Sequence, residues 1–598
     1  MKPLPDPPAT LCEAFQRTAA ARPGEPALLT LAGPALTWGQ YADRVASVAA
    51  ALLHLGVRRG EPVALMLTNR PEFHVADCAA LHLGAIPYSL YNSLPAEQIQ
   101  HLLAETGAQV VVTERRFLPV LREARVGTAV RHLVAVDGPE PGAEDDGTVT
   151  LADAEAGTPG PFDLAAALAH LVPDDLVTLI HTSGTTGRPK AVEITHRAML
   201  AQLAGTQEVL EVTSQDSHIS FLPAAHIADR WGSHYTHLLC GTSLTCLDDM
   251  SRLPEALALV RPSLFGAVPA VWQRIRTALE GAIADADPQL RALAQDAMAT
   301  GGRLSGGRWA GTLTPPERTE LDNADVILAE LRRRVGLDRA RVCITGAAPA
   351  PEGLQEFFHG LGLPLTDAWG MSEVSGIALI SPPGRPRPGT VGRPVPGAEI
   401  RIADDGELLV RAPFLMRGYR DEPELTARTV DAAGWLHTGD IAEVRADGDI
   451  RIVDRKKDLI INTGGKNMAP ARIEGVLRES SPLLAHAVVI GDGRPFNVAL
   501  LVPDRDAVIA WARRVGIASD TPWDTHSGQL AAALAEAVAV ANTRLSRPER
   551  IRAHATITEE WAPGGPELTV TLKVRRAAVI GRYAELVETL YRPGGAVR

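Results

Sequence analysis

From residue 27 onward, apolar runs of strand length alternate with amphipathic stretches of helix length, and this alternation restricts the chain to few architectures. Pro62-Val-Ala-Leu-Met-Leu67 reads as a buried strand, residues 71–84 as a helix, and Gln109-Val-Val-Val-Thr113 as strand again. The pattern predicts an α/β fold, a large N-terminal domain of parallel-rich sheets covered by helices, with ligand sites in loops at the carboxyl ends of strands. Near residue 450 the texture changes to a charged turn, Asp454-Arg-Lys-Lys-Asp458, then an Ile-rich strand and a Gly-Gly loop. The remainder reads as a small α+β C-terminal domain, dividing the chain at 1–454 and 455–598. Residues 138–160 and 300–316, rich in Gly with Pro or acidic residues, are predicted to be surface loops.

At 598 residues the chain has ample length for a large core, and its charge of −12 argues against nucleic acid as a partner. A small molecule is the expected partner. The five cysteines (Cys12, Cys78, Cys240, Cys246, Cys343) fall in no CxxC spacing, which predicts neither a disulfide framework nor a structural zinc site and fits a reducing cytoplasm. The N-terminus has no apolar run behind a basic start, so no secretory signal is expected. The charge-free stretch 78–96 is broken by Pro87, Asn92 and Pro95, which leaves peripheral membrane contact at most. The residues indicate no oligomeric state.

Lysine is rare: six lysines stand against fifty-three arginines. A lysine kept against that bias marks a place where a compact, flexible ammonium serves better than a planar guanidinium. One such lysine ends the run His181-Thr-Ser-Gly-Thr-Thr-Gly-Arg-Pro-Lys190, which follows the apolar segment Leu176-Val-Thr-Leu-Ile180. Glycines bring backbone N–H groups close to an anion, hydroxyls add donors and Lys190 adds charge, so the run suits a polyphosphate, with ATP the natural candidate. It is not a Walker A loop, because Gly-Lys-Ser/Thr is missing at the required spacing.

Thr182 to Lys190 resembles the phosphate loop of the acyl-adenylate-forming superfamily, which includes acyl-CoA synthetases and adenylation domains. Further blocks follow in the superfamily's order. Ser220-Phe-Leu-Pro-Ala-Ala-His-Ile-Ala-Asp-Arg230 and Arg261-Pro-Ser-Leu-Phe-Gly-Ala-Val-Pro-Ala-Val-Trp272 resemble segments of the long-chain fatty acyl-CoA synthetase branch. Thr345-Gly-Ala-Ala-Pro349, Asp367-Ala-Trp-Gly-Met-Ser-Glu373, Gly434-Trp-Leu-His-Thr-Gly-Asp440, Asp454 to Asp458, Gly464-Gly-Lys-Asn467 and Leu568-Thr-Val-Thr-Leu-Lys573 complete the series.

The resemblance implies roles for these residues. Thr182, Ser183, Gly184, Thr185, Thr186, Gly187 and Lys190 would hold the β- and γ-phosphates. Gly346, Ala347, Ala348 and Pro349, with Asp367, Trp369, Gly370, Met371 and Ser372, would form the adenine slot. Glu373, with Thr185, would ligate Mg²⁺, a hard cation that prefers oxygen. Asp440 and Arg455 would grip the ribose, with Ile452 beside them, and Lys573 would bridge the acid's carboxylate and the α-phosphate. His226 would sit between the ATP site and an acyl pocket built from Ala224, Ala225, Gly266, Ala267 and Val268. Lys457 would be the hinge on which a mobile C-terminal domain rotates, bringing Gly464, Gly465, Lys466 and Asn467 to the coenzyme A side.

The sequence departs from the superfamily pattern at Ala191 for Gly, Trp369 for Tyr, Ser372 for Thr and His181 for an aromatic residue. The resemblance implies an ATP- and Mg²⁺-dependent acyl-CoA synthetase acting on a hydrophobic acid, by default a long-chain fatty acid. Open alternatives are a bulky terpenoid or polyketide acid, a carrier-protein thiol as acceptor, a catalytically silent nucleotide-binding protein, and an amino-acid adenylation domain in which Asp229 would pair with a substrate amine.

Overall fold

The computed structural model describes residues 7–33, 36–138, 148–182, 189–516, 527–562, 564–569 and 573–592. Among them, the expected early elements form as the strand Pro62–Met66, the helix Pro71–His82 and the strand Val110–Thr113. Pro71 opens that helix, where its missing N–H costs nothing. Both strands belong to a five-stranded, all-parallel sheet in the order Ile86–Ser89, Pro62–Met66, Val110–Thr113, His132–Ala135, Thr148–Thr150.

A second five-stranded sheet carries Leu264–Ala267, Val342–Gly346 and Leu365–Met371 in parallel, then Gly376–Ile380 and Arg393–Pro394 antiparallel. Its parallel strands are crossed over by helices, and Trp272 in the helix Pro269–Ala284 anchors one crossover: fully buried, it packs edge-on against Phe265 and donates from Nε1 to the Ile344 carbonyl at 3.0 Å. Truncating a side chain packed this way costs about 3–5 kcal/mol. The strand Leu176–Thr182 pairs antiparallel with Lys190–Thr195.

A four-stranded antiparallel sheet follows, Glu399–Ile402, Glu407–Arg411, Leu436–Val444 and Ile450–Arg455. The division expected between residues 454 and 455 falls inside its last strand, where Asp440 faces Arg455 and Ile441 faces Asp454. The smaller C-terminal domain has its own three-stranded sheet, Leu484–Ile490, Asn497–Pro503 and Ile551–Thr556, packed with the helices Pro470–Glu479 and Ser527–Arg544. Among the described residues, no helix is long and apolar enough to cross a membrane.

One loop expectation fails and a second fails in part. Residues 300–316 are mostly helix, the end of Pro288–Ala310 and the start of Pro315–Arg334. Gly301 serves packing rather than a turn: a Cβ there would run into the Gly360 carbonyl oxygen, so glycine allows this helix to lie against its neighbour, while Gly311, at φ +70°, closes the helix in the left-handed conformation. Within residues 138–160, Thr148–Thr150 is a strand and Leu151–Ala156 a helix, the latter capped by the Thr150 hydroxyl accepting from Asp153 N. Residues 139–147 lie outside the described residues.

Candidate active site

The carboxyl ends of the strands Val342–Gly346 and Leu365–Met371 open into a cleft of about 3180 Å³ that extends between the two domains. Gly346 lies where a Cβ would meet the Ala368 carbonyl oxygen at 2.8 Å, and a Cβ at Gly370 would run into Gly376. Glycine is therefore required at both positions by close backbone approach. Between them Ala347 takes φ +66°, a left-handed conformation that an L-residue keeps only when its surroundings enforce it. Gly346, Ala347, Ala348 and Pro349 line the cleft, opposite Asp367, Trp369, Gly370, Met371 and Ser372. Burial pushes the Asp367 carboxyl up to about 8, against the backbone amides of Ala350 and Ala368.

Trp369 is buried, and its Nε1 donates to Asp440 Oδ2 at 2.8 Å. The other Asp440 oxygen takes Arg455 Nε at 2.7 Å. Asp440 and Arg455 are direct neighbours across the ladder of their two strands, so the sheet itself fixes the pair. Burial raises the Asp440 pKa, while Arg455, Trp369 and Lys573 in turn oppose the rise. Ile452, two residues before Asp454 on the same strand, also lines the cleft.

Thr182 and Lys190 face each other across the Leu176–Thr182 and Lys190–Thr195 ladder, the Thr182 hydroxyl donating to the Lys190 carbonyl at 3.4 Å. The loop between them, with Ser183, Gly184, Thr185, Thr186 and Gly187, lies outside the described residues. Its anchoring lysine has a partner that the motifs did not indicate: Lys190 Nζ lies 5.3 Å from the centroid of the Tyr419 ring. The Tyr419 hydroxyl in turn donates to Glu373 Oε1 at 2.8 Å. Among the described residues no three His, Cys, Asp or Glu side chains converge as a metal site. The Glu373 carboxylate, linked through Tyr419 to Lys190 at the end of the expected phosphate loop, nevertheless fits Mg²⁺, which keeps waters and shares phosphate oxygens.

Lys573 enters the cleft from the C-terminal domain, its side chain open to the cavity. Desolvation lowers its pKa to about 8, Arg455 adding to the fall and Asp440 and Glu373 opposing it. His226 lines the same space. Its Nδ1 accepts from Ala228 N at 3.1 Å, which leaves Nε2 to carry the proton. Burial, then repulsion from Lys573, lowers its pKa to about 3, so His226 is a neutral donor rather than a cation.

The expected acyl-pocket residues divide. Gly266, Ala267 and Val268 line the cleft, whereas Ala224 and Ala225 are buried and lie outside its lining. A π-helical turn at Arg230–Tyr235 instead presents Trp231, Gly232 and Ser233 to the cavity. Its other side chains point into the core: Arg230 pairs with Asp77, fully buried, and also donates to Tyr235 and Ser89. Asp229 is buried, accepts from Ser220 Oγ at 3.1 Å and does not line the cleft, so it offers nothing to a substrate amine.

Gly464, Gly465 and Lys466 form an exposed turn outside the cleft lining, closed by Asn462 Oδ1 accepting from the amides of Gly464 and Lys466 at 3.0 Å. Asn467 reaches the lining. Lys457 is exposed two residues beyond the last strand of the antiparallel sheet and also lines the cleft. Sequence reasoning missed Tyr419, whose Arg-Gly-Tyr setting carries no chemical signature, and Trp231, which only the π-turn delivers to the cavity.

Residues 15–420 match the AMP-binding enzyme family, and residues 457–594 match the AMP-binding enzyme C-terminal domain. A Mycobacterium tuberculosis protein provisionally named fatty-acid–CoA ligase fadD11 is 41% identical over 449 residues, 74% of this chain and 79% of the relative. The long-chain-fatty-acid–CoA ligase FadD15 of the same organism is 32% identical over 573 residues, covering 93% and 92%. Among solved structures, the adenylation domain of a carboxylate reductase from Mycobacterium chelonae superposes with a TM-score of 0.76 at 21% identity, over 98% of this chain and 92% of that one, a likeness of fold. By these matches and by its own cleft, the chain belongs to the AMP-binding enzyme family.

Proposed function

We propose that the chain activates a hydrophobic carboxylic acid, by default a long-chain fatty acid, first as its acyl-adenylate and then as its coenzyme A thioester. The coarse activity, an AMP-forming acid–CoA ligase, follows from the family and from relatives named fatty-acid–CoA ligases. The observation that carries the finer reading is the position of Lys573, which shares one cleft with Asp440, Arg455, Glu373 and a trough walled by Gly266, Val268 and Ile344.

Adenylation brings a carboxylate against a phosphate, anion on anion, so the protein must supply charge and alignment. In this reading Lys573 places its ammonium between the two anions, and His226 donates from Nε2 to an acid or phosphate oxygen without adding a second cation. Asp440, held by Trp369 and Arg455, receives the ribose, and Asp367 and the Gly346–Pro349 turn receive adenine. Glu373 and the loop residue Thr185 would hold Mg²⁺, which when bound neutralises the leaving pyrophosphate. The coenzyme A thiol then attacks the acyl carbon and AMP leaves, after a rotation about Lys457 that brings in Gly464 to Asn467. Five free cysteines and the use of ATP and coenzyme A support a cytoplasmic setting for this chemistry. ATP–pyrophosphate exchange over a panel of acids, repeated with coenzyme A and thioester detection, tests the reading. Exchange with no acid of any class would overturn it.

A further inference from the structure

The cleft continues well beyond the nucleotide. Along the strand Val342–Gly346 every second residue, Gly346, Ile344 and Val342, lines it, so one wall runs from the adenine end back to the strand's beginning. Four residues at about 3.3 Å each make this run about 13 Å. An extended chain advances about 1.2 Å per bond, three bonds to a residue of roughly 3.5 Å, so the trough takes about eleven bonds past Gly346.

The start of this strand meets the end of the helix His196–Leu210, since the Arg341 guanidinium donates to the carbonyls of Leu210 and Glu211 at 3.1 and 2.9 Å. Here polar side chains join the lining: Thr206, Gln207, His218, Thr236 and Cys240. Three are satisfied within the protein. Thr206 donates to the Gln202 carbonyl at 3.0 Å, Thr236 to the Trp231 carbonyl at 2.7 Å, and His218 bonds Thr242 Oγ1 at 3.0 Å.

Gln207 differs. Its amide N–H donates to the Val212 carbonyl, which fixes Oε1 as the acceptor, and that oxygen takes the Cys240 thiol at 3.5 Å. A thiol is a weak donor, and burial keeps this one protonated by pushing its pKa up to about 12. The amide oxygen of half-buried Gln207, at this end of the trough, thus has capacity for a strong donor. A plain methyl terminus would desolvate that oxygen and give nothing back, whereas a hydroxyl would satisfy it.

We propose that the far end of the acyl trough recognises a hydroxyl on the distal part of the acid, with Gln207 Oε1 as its acceptor and the thiol of Cys240 beside it. The substrate class is then a hydroxylated long acyl chain rather than an unsubstituted one, and Gln207 is a specificity-determining residue. This inference rests on the acid–CoA ligase reading of the same cleft.

The test measures kcat/KM of the full chain, with ATP, Mg²⁺ and coenzyme A, for unbranched acids of increasing length, each against its terminally hydroxylated counterpart. At the length that brings the hydroxyl to Gln207, the hydroxy acid should be preferred about tenfold, the discrimination one such hydrogen bond supplies. Gln207→Leu should reverse the preference, while Cys240→Ala should keep it. If the Leu variant does not melt cooperatively, Gln207→Met, closer in shape, replaces it. A wild type that prefers the unsubstituted acid at every length, or a Gln207 variant with an unchanged ratio, would overturn the inference. Failure of the wild type to turn over any acid would instead overturn the ligase reading beneath it.

Discussion

Trp369 and Asp440 are joined by a 2.8 Å hydrogen bond from the indole Nε1 to Oδ2, linking the aromatic wall of the proposed adenine slot to the carboxylate proposed to hold the ribose. A tyrosine, the commoner residue in the superfamily pattern, has no donor at the indole position. Trp369→Phe should therefore keep an aromatic face while releasing one Asp440 oxygen. A hydrogen bond to a charged group contributes about 1.5–3 kcal/mol, so the KM for ATP should rise about tenfold or more with the KM for the acid unchanged. Steady-state kinetics with each substrate varied in turn checks this, and an equal rise for both would point to a general loss of structure.

Tyr419 bears on the carboxylate proposed to hold Mg²⁺ in the same indirect way. Its hydroxyl holds Glu373 Oε1 and its ring lies beneath the Lys190 ammonium. Tyr419→Phe retains the ring and frees the carboxylate. The Mg²⁺ concentration for half-maximal pyrophosphate exchange should rise about tenfold, and excess Mg²⁺ should restore the rate. An unchanged Mg²⁺ titration would show that Tyr419 does not position Glu373.

The pH dependence should follow Lys573. Its pKa is lowered to about 8, chiefly by desolvation. The useful form is the charged one, present below that value and lost as pH rises through it. The kcat/KM for adenylation should fall about tenfold per pH unit above roughly 8. Lys573→Arg, which stays charged above pH 12, should remove that descending limb even where its rate is lower.

Gly266 faces the cleft where the acyl chain is proposed to lie, and a Cβ added there would meet only Ile344 Cβ, at 3.9 Å. A larger side chain therefore fills the cavity without disturbing the sheet. Gly266→Leu should move the chain-length optimum to shorter acids, each excluded methylene costing about 0.8 kcal/mol of binding. A length profile identical to wild type would place the acyl chain elsewhere.

The strand and helix alternation was legible because buried parallel strands are near-continuous aliphatic runs, as in Val110–Thr113. That Asp367, Trp369, Asp440 and Lys573 share one cleft was legible from the resemblance of their ordered blocks to those of the acyl-adenylate-forming superfamily. Two kinds of feature were not. Glycine punctuates loops in sequence, yet around Gly301 it serves a close helix contact, and no single-chain pattern distinguishes the two uses. The Tyr419–Glu373 pair and the π-turn that presents Trp231 to the cleft arise from contacts between distant segments, which periodicity does not record.

The position of Lys573 in the cleft is tested most directly by separating the two half-reactions in Lys573→Ala. ATP–pyrophosphate exchange should fall by about three orders of magnitude, the scale on which removing one charge-stabilising donor acts. Thioester formation from a supplied acyl-adenylate and coenzyme A should stay near the wild-type rate. Wild-type exchange in the variant, or equal loss of both half-reactions, would contradict the assignment of Lys573 to adenylation.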